Sequence, residues 1–234
     1  MTTTDQVQEA ERVALVTGGT AGLGLALVRA LAGEGWRVVT DGRSEVRAKE
    51  AELPAGVDFV AGDLTDDDHR ATLVARVAAL GRLDLLVHNA STLGPLPMRP
   101  LSDASIADLQ HVWRTNIGAP LVLTGALLPW LQRSEGVLLS ISSDAAVEHY
   151  ETWGLYGASK AALDHVTLTY GAEAGITAWA VDPGDMRTQM HQDAYPGEEI
   201  SDRPLPEEVV PRFLSLLRQR PASGRYRASE VALG

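Results

Sequence analysis

No cysteine occurs among the 234 residues, which excludes disulfides, thiolate metal sites and thiol nucleophiles together. Long apolar runs are missing as well. The nearest, GAPLVLTGALLPWL at 118–131, is shorter than the roughly 18 residues of a membrane span and is broken by prolines. Basic residues number 20 against 31 acidic ones and form no cluster. The resulting formal charge of -11 favours solubility and argues against nucleic acid or an anionic membrane as partner. The opening stretch MTTTDQVQEAER has neither the basic start nor the apolar core of a signal peptide. It reads as a frayed tail over 1–11, and the chain as a cytoplasmic protein. No linker, repeat or low-complexity segment divides the remainder, so 12–234 is expected to form one domain around one core.

What is present is a strict alternation. Continuous apolar runs at 12–17, 37–40, 57–61, 83–88, 137–142 and 176–181 read as buried strands. Amphipathic patterns at 22–33, 44–52, 67–80, 103–132, 156–173 and 206–219 fill the gaps, and a last short strand is expected at 224–229. Such alternation implies an α/β fold: a Rossmann-like, doubly wound parallel sheet with helices on both faces. The longest stretch without a periodic pattern, about 185–205, is expected to cover a site.

Two local patterns carry chemistry. TGGTAGLG at 17–24 follows the first strand and opens the first helix, where helix N-terminal amides and bare glycine backbone can cradle a pyrophosphate. The absence of a following Gly-Lys-Ser/Thr removes the nucleotide triphosphatase loop, whereas a methyltransferase stays open on this turn alone. The second pattern is Tyr156 and Lys160, four residues apart and so on one helical face. A neighbouring ammonium favours the phenolate, and the pair is expected to bring the Tyr156 hydroxyl toward neutral pH as an acid or base. An exposed lysine beside a half-buried ring would give the same spacing without chemistry.

Taken with motifs elsewhere, the chain resembles the short-chain dehydrogenase/reductase family from about 12 to 230. Thr17-Gly18-x-x-x-Gly22-x-Gly24 is similar to the family's cofactor loop, and Asp63-Leu64 to its adenine contact. HNAS at 88–91 matches its Asn-Asn-Ala-Gly stretch at two positions of four, with His88 and Ser91 as departures. Asn116 matches the family asparagine, Ser143 lies 13 residues before Tyr156 as the family serine does, and DPGDMRT at 182–188 resembles its Pro-Gly stretch. The resemblance implies hydride transfer between nicotinamide C4 and a carbonyl or carbinol carbon. Within it Tyr156 is the proton donor, Lys160 its tuner and ribose ligand, Ser143 the partner of the substrate oxygen, and Asn116 the holder of a water that links Lys160 to solvent. Cofactor contacts are implied for Gly18, Thr20, Gly22, Leu23, Gly24, Arg43, Asp63, Leu64, Asn89, Ala90, Pro183, Gly184 and Thr188, beside Tyr156 and Lys160. A non-redox isomerase or dehydratase, or a silent cofactor-binding sensor, could use the same fold.

The stretch VVTDGRSE bears on the cofactor. By resemblance the acid that selects NAD falls 18 residues after Gly24, where Gly42 stands, and is followed by Arg43 at the phosphate-binding place. Asp41 is one place early and, on a strand, should face the other way. NADP(H) is therefore favoured, with NAD(H) as the alternative. Leu93, Asp144, Tyr150, Trp153, Met186 and Met190 are expected to line the substrate cleft, for a freely diffusing ketone or alcohol. No metal is implied. Surplus apolar residues at 118–131 suggest a homodimer or homotetramer.

Overall fold

The computed structural model describes residues 11–234, so all but the last residue of the expected tail lies outside the described residues. Seven strands form one parallel sheet: β1 (Val13–Val16), β2 (Arg37–Gly42), β3 (Asp58–Ala61), β4 (Leu85–His88), β5 (Val137–Ile141), β6 (Thr177–Asp182) and β7 (Gly224–Arg227). Their order is β3-β2-β1-β4-β5-β6-β7. The order reverses between β1 and β4, and at such a switch point the strand ends part to leave a crevice.

Helices α1 (Gly22–Gly33) and α8 (Pro206–Gln219) cover one face. They pack on Ala14, Val16, Val87, Leu139 and Trp179 through Leu27, Leu31, Phe213 and Leu216. On the other face, α3 (Asp67–Leu80), α5 (Ala119–Arg133) and α6 (Gly154–Ala174) pack on Leu15, Leu86 and Leu138. Both faces being covered, strands such as VALV are buried at every position, and their sequences run continuously apolar for that reason. Helix α2 (Glu45–Glu50) follows β2.

Three expectations require correction. The pattern at 103–132 is not one helix. A 3₁₀ turn at Leu101–Asp103 precedes α4 (Ile106–Trp113), a π turn occupies Arg114–Gly118, and α5 follows. Ser105 starts α4 with a capping box to Asp108, and Pro120 has no N–H to give the Asn116 carbonyl four residues back, so the ladder widens ahead of it. The stretch 185–205 is not bare loop either, since α7 (Gln189–Ala194) lies within it, capped by Thr188. Finally, Leu123, Leu127 and Leu131 turn to the sheet, so the apolar surplus of α5 shrinks to exposed Leu121 and Val122 with half-buried Leu128 and Trp130. No helix among the described residues is long and apolar enough to cross a membrane.

Candidate active site

At the strand ends lies a cleft of about 1850 Å³. That exceeds the roughly 300–1,000 Å³ of ordinary ligand pockets and leaves room for a dinucleotide beside a substrate. Its first wall is the glycine turn. Gly18 holds a left-handed φ of +70°, and a Cβ on Gly24 would sit 2.4 Å from both Asn89 Nδ2 and the Gly18 carbonyl oxygen. Asn89 explains that closeness: Nδ2 donates to the carbonyls of Thr17 (2.9 Å) and Gly18 (3.2 Å), while the amides of Asn89 and Ala90 donate to Thr17 Oγ1. Helix α1 starts at Ala21 with no side-chain cap and no acid in its first turn. Uncapped first-turn amides beside bare glycine backbone fit a pyrophosphate, and Thr20, Gly22 and Leu23 line the cleft with them. The segment 183–188 closes over this turn. Gly184 donates its amide to Asp182 Oδ1 (3.0 Å), Thr188 Oγ1 accepts from the His191 amide (3.2 Å), and the Thr188 methyl faces Gly22.

The adenosine end is set by β2. Asp41 lines the cleft with its carboxylate engaged: Oδ1 accepts from the Gly18 amide (2.7 Å), and buried His69 meets Oδ2 through Nε2 (2.9 Å). Arg43 stands exposed at the rim with Ser44 and Arg47. Asp63 accepts from the amide and hydroxyl of Thr65, both at 2.8 Å, and these bonds, with the Arg43 and His69 charges, hold its carboxyl below its ordinary range. Leu64 is buried beneath it. The Asp41–His69 brace joins residues 28 apart, and no local sequence signal announces it.

Helix α6 lines the other end of the cleft. Tyr156 and Lys160 are both buried, with Lys160 Nζ 5.5 Å from the Tyr156 ring centre and donating to the Ile141 carbonyl (2.7 Å). The lysine does not draw the phenol toward neutral pH in this arrangement. Burial pushes Tyr156 above its ordinary value; hydrogen bonds to Ser143 and Ser91 oppose the rise, and the charges of Asp144 and Asp182 add to it. Burial also lowers Lys160 to about 8, against the pull of Asp164. Ser143 Oγ donates to Asp144 Oδ1 (3.0 Å) and accepts from the Ala145 amide (3.2 Å), which fixes its hydroxyl at the mouth of the cleft.

Asn116 is fully buried in the π turn, and its side chain is saturated. Nδ2 donates to the Thr92 carbonyl and Ser159 Oγ, both at 2.9 Å, while Oδ1 accepts from the Thr92 amide (2.9 Å) and Ser91 Oγ (3.3 Å). Asn116 thus ties the exit of β4 to α6 through its side chain. His88 is buried at the end of β4, with Nε2 2.7 Å from Thr124 Oγ1 and Nδ1 without a partner among the described residues. Burial and the Lys160 charge drive it down to about 3, so it is neutral at any working pH.

Leu93, Trp153 and Met190 pack around Tyr156, joined by Met98 and Ala194. Met186 lines the cleft but roots in the core on the α8 side. Asp144 gathers the Ser143 hydroxyl and the Tyr150 hydroxyl (2.8 Å), which keeps the Tyr150 phenol up at about 12. Trp153 stands edge-on to Tyr156 and Tyr150 and tilted to Tyr195, at ring distances of 5.6, 6.3 and 5.7 Å. Tyr195, at the end of the stretch 185–195, lines the cleft beside them. No cluster of His, Asp and Glu among the described residues could hold a metal ion.

Comparison with known proteins agrees with this geometry. The family model for short chain dehydrogenase matches residues 12–199. An uncharacterised oxidoreductase of Saccharomyces cerevisiae is 35% identical over 185 residues, covering 76% of this chain and 72% of that protein. Serine 3-dehydrogenase of Agrobacterium fabrum is 33% identical over 182 residues, covering 75% and 72%. A short chain dehydrogenase of Shigella flexneri solved in complex with NADP superposes with a TM-score of 0.86 at 29% identity, over 93% of this chain and 97% of that one. With the parallel sheet, the glycine turn and the Tyr-x-x-x-Lys face in place, the chain belongs to the short-chain dehydrogenase family and is an NAD(P)-dependent oxidoreductase.

Proposed function

We propose that the protein is an NADP(H)-dependent reductase of a small ketone or aldehyde, working in reverse as an alcohol dehydrogenase, with Tyr156 as its general acid and base. The observation that carries this reading is the meeting of Tyr156, Lys160 and Ser143 at one open cleft whose other end is the glycine turn. NADPH, when bound, would supply the hydride for the substrate carbon. Ser143 turns its hydroxyl hydrogen from Asp144 Oδ1 to the substrate oxygen and stabilises the charge that develops there. Tyr156 then delivers its proton to that oxygen; its raised pKa keeps the phenol protonated through neutral pH, the form reduction needs. Lys160 would hydrogen-bond the nicotinamide ribose and balance the charge left on the phenol when it gives up its proton. Asn116 holds the 91–92 segment and α6 in register.

Support for NADP over NAD comes from Arg43, exposed at the rim, with Gly42 lacking a carboxylate and Asp41 committed to Gly18 and His69. The solved relative bound to NADP points the same way. The substrate chamber, with Trp153, Leu93 and Met190 near Tyr156 and Asp144 at its mouth, suits an uncharged or cationic carbonyl compound better than an anion. Exposed Leu121, Val122 and Trp113 give α4 and α5 a face for a second copy of the chain. The test is NADPH consumption across a panel of ketones and aldehydes, together with NADP+ reduction by L-serine, the last because one relative is a serine 3-dehydrogenase. Tyr156→Phe should cut turnover by about 10³-fold or more while NADPH affinity stays within about twofold. Wild-type turnover in Tyr156→Phe refutes the reading, as does product formation without loss of NADPH, which would mark a non-redox enzyme.

A further inference from the structure

Behind the reacting face lies a second set of charges that the mechanism above does not use. Asp164 sits one turn beyond Lys160 on α6, so the two share a face. Its Oδ2 accepts from Ser142 Oγ (2.7 Å) and from Arg225 Nε (3.1 Å). Arg225, on β7, also gives Nη2 to the Ser143 carbonyl (2.8 Å) and stands 3.7 Å from Asp182 Oδ2. One guanidinium thus joins the end of β5, the middle of α6 and the end of β6. Asp164 Oδ1, by contrast, is buried without a hydrogen-bond partner among the described residues. A bridge that served only to hold the fold would be expected to satisfy both carboxylate oxygens, because an unmet buried acceptor is costly.

We propose that Asp164 and Arg225 are positioning residues for the reaction: Asp164 is the counter-charge of Lys160, and Arg225 clamps that carboxylate to the backbone of Ser143. The inference rests on the assignment of Lys160 and Ser143 to the reaction. Around Lys160 and Asp164 the facing groups are Tyr156 on α6, His88 on β4, Asp144 after β5, Asp182 on β6 and Arg225 on β7. His88 is neutral and Tyr156 remains a phenol at neutral pH, so among these Asp164 is the carboxylate that supports the Lys160 charge. Burial raises Asp164, and the Ser142 hydrogen bond and the Arg225 charge oppose that rise. The clamp and the counter-charge act together, for α6 carries Tyr156, Lys160 and Asp164 as one rigid unit.

The chain has only two lysines, Lys49 and Lys160, so its [13Cε]lysine NMR spectrum holds two resonances, and Lys49→Arg leaves Lys160 alone. No substrate is needed. Asp164→Asn, which keeps the side-chain shape, should lower the Lys160 midpoint by about one pH unit, and Arg225→Gln, which removes a competing cation, should raise it by about half a unit. Arg225→Lys should leave it near the wild-type value. A merely structural bridge predicts otherwise: loosening would hydrate Lys160 and move both variants upward. An unchanged or raised midpoint in Asp164→Asn overturns the proposal. If that variant does not fold, Asp164→Leu, which removes the carboxylate without admitting water, decides, and an unchanged or raised midpoint there overturns it. Because the titration reads charge without turnover, its failure is separate from that of the Tyr156 reading, which only the turnover of Tyr156→Phe decides.

Discussion

The two ends of the cleft are built by different means. At the cofactor end the shape comes from backbone: Gly18 in a left-handed conformation, Gly24 pressed against Asn89, and an uncapped helix start. Arg43 stands exposed at the rim, and the buried Asp41–His69 pair braces the turn from behind. At the reaction end the shape comes from side chains taken out of water: Tyr156, Lys160, Asn116 and His88 are all buried. The first end is a mould that a single added carbon spoils. The second is a network in which burial sets each group's protonation, so it should respond to pH and to the loss of single hydrogen bonds.

The largest effect should come from the hydrogen-bond hub. Asn116→Ala strands the Thr92 amide and carbonyl and Ser159 Oγ, at about 1–3 kcal/mol for each buried group left unmet. A loss on the order of 4 kcal/mol in chemical denaturation is expected, and a loss below about 1 kcal/mol would show that the hub is not structural. At the other end Gly24→Val forces side-chain atoms into Asn89 and the Gly18 carbonyl, and overpacking of this kind costs about 1–3 kcal/mol. NADPH affinity measured by fluorescence titration should fall by up to about 100-fold, while the Lys160 titration stays in place. If the lysine moves instead, the two ends are not separable.

Arg43→Ala probes the rim. It should weaken NADPH binding by roughly 1.5–3 kcal/mol, the range of a hydrogen bond to a charged group, and leave NADH binding nearly unchanged. Equal losses for the two cofactors would remove Arg43 from the 2′-phosphate. The smallest effect belongs to His88, whose folded pKa of about 3 lies below its ordinary 6.5. Its contribution to stability is full above about pH 6.5 and is lost as pH falls toward 3, because the unfolded chain then binds a proton that the folded one refuses. Between pH 7 and pH 5 the wild type should lose about 2 kcal/mol more than His88→Asn, with the raised carboxyls Asp164 and Asp182 common to both proteins. Parallel stability curves would mean that His88 is hydrated.

The same contrast governs what could be seen in the sequence. Backbone requirements leave local marks: Gly18, Gly22 and Gly24 announced the tight turn between β1 and α1, and Tyr156 with Lys160 announced one face of α6. Alternating apolar runs were enough for the parallel sheet, since a strand buried on both sides has no polar face to show. The network was hidden because its partners lie far apart in the chain. Asp164 meets Arg225 across 61 residues and Asp41 meets His69 across 28, and each looks like an ordinary surface charge until the fold buries it. The break in the 103–132 helix was misread because apolar periodicity continues through the π turn, although Ser105 and Pro120 were its signals. The tuning of Tyr156 was misread for a related reason. Spacing shows that Lys160 is near, but only the packing shows that burial outweighs it.

That last point is the centre of the account, and [13Cζ]tyrosine NMR of the cofactor-free protein tests it most directly. The chain has five tyrosines, and Tyr156→Phe identifies the resonance of Tyr156. Burial predicts that this signal stays at its phenol shift through pH 10, above the range in which an unperturbed tyrosine begins to titrate. A midpoint between about 7 and 8 would contradict it, and would mean that Lys160, not burial, governs the phenol.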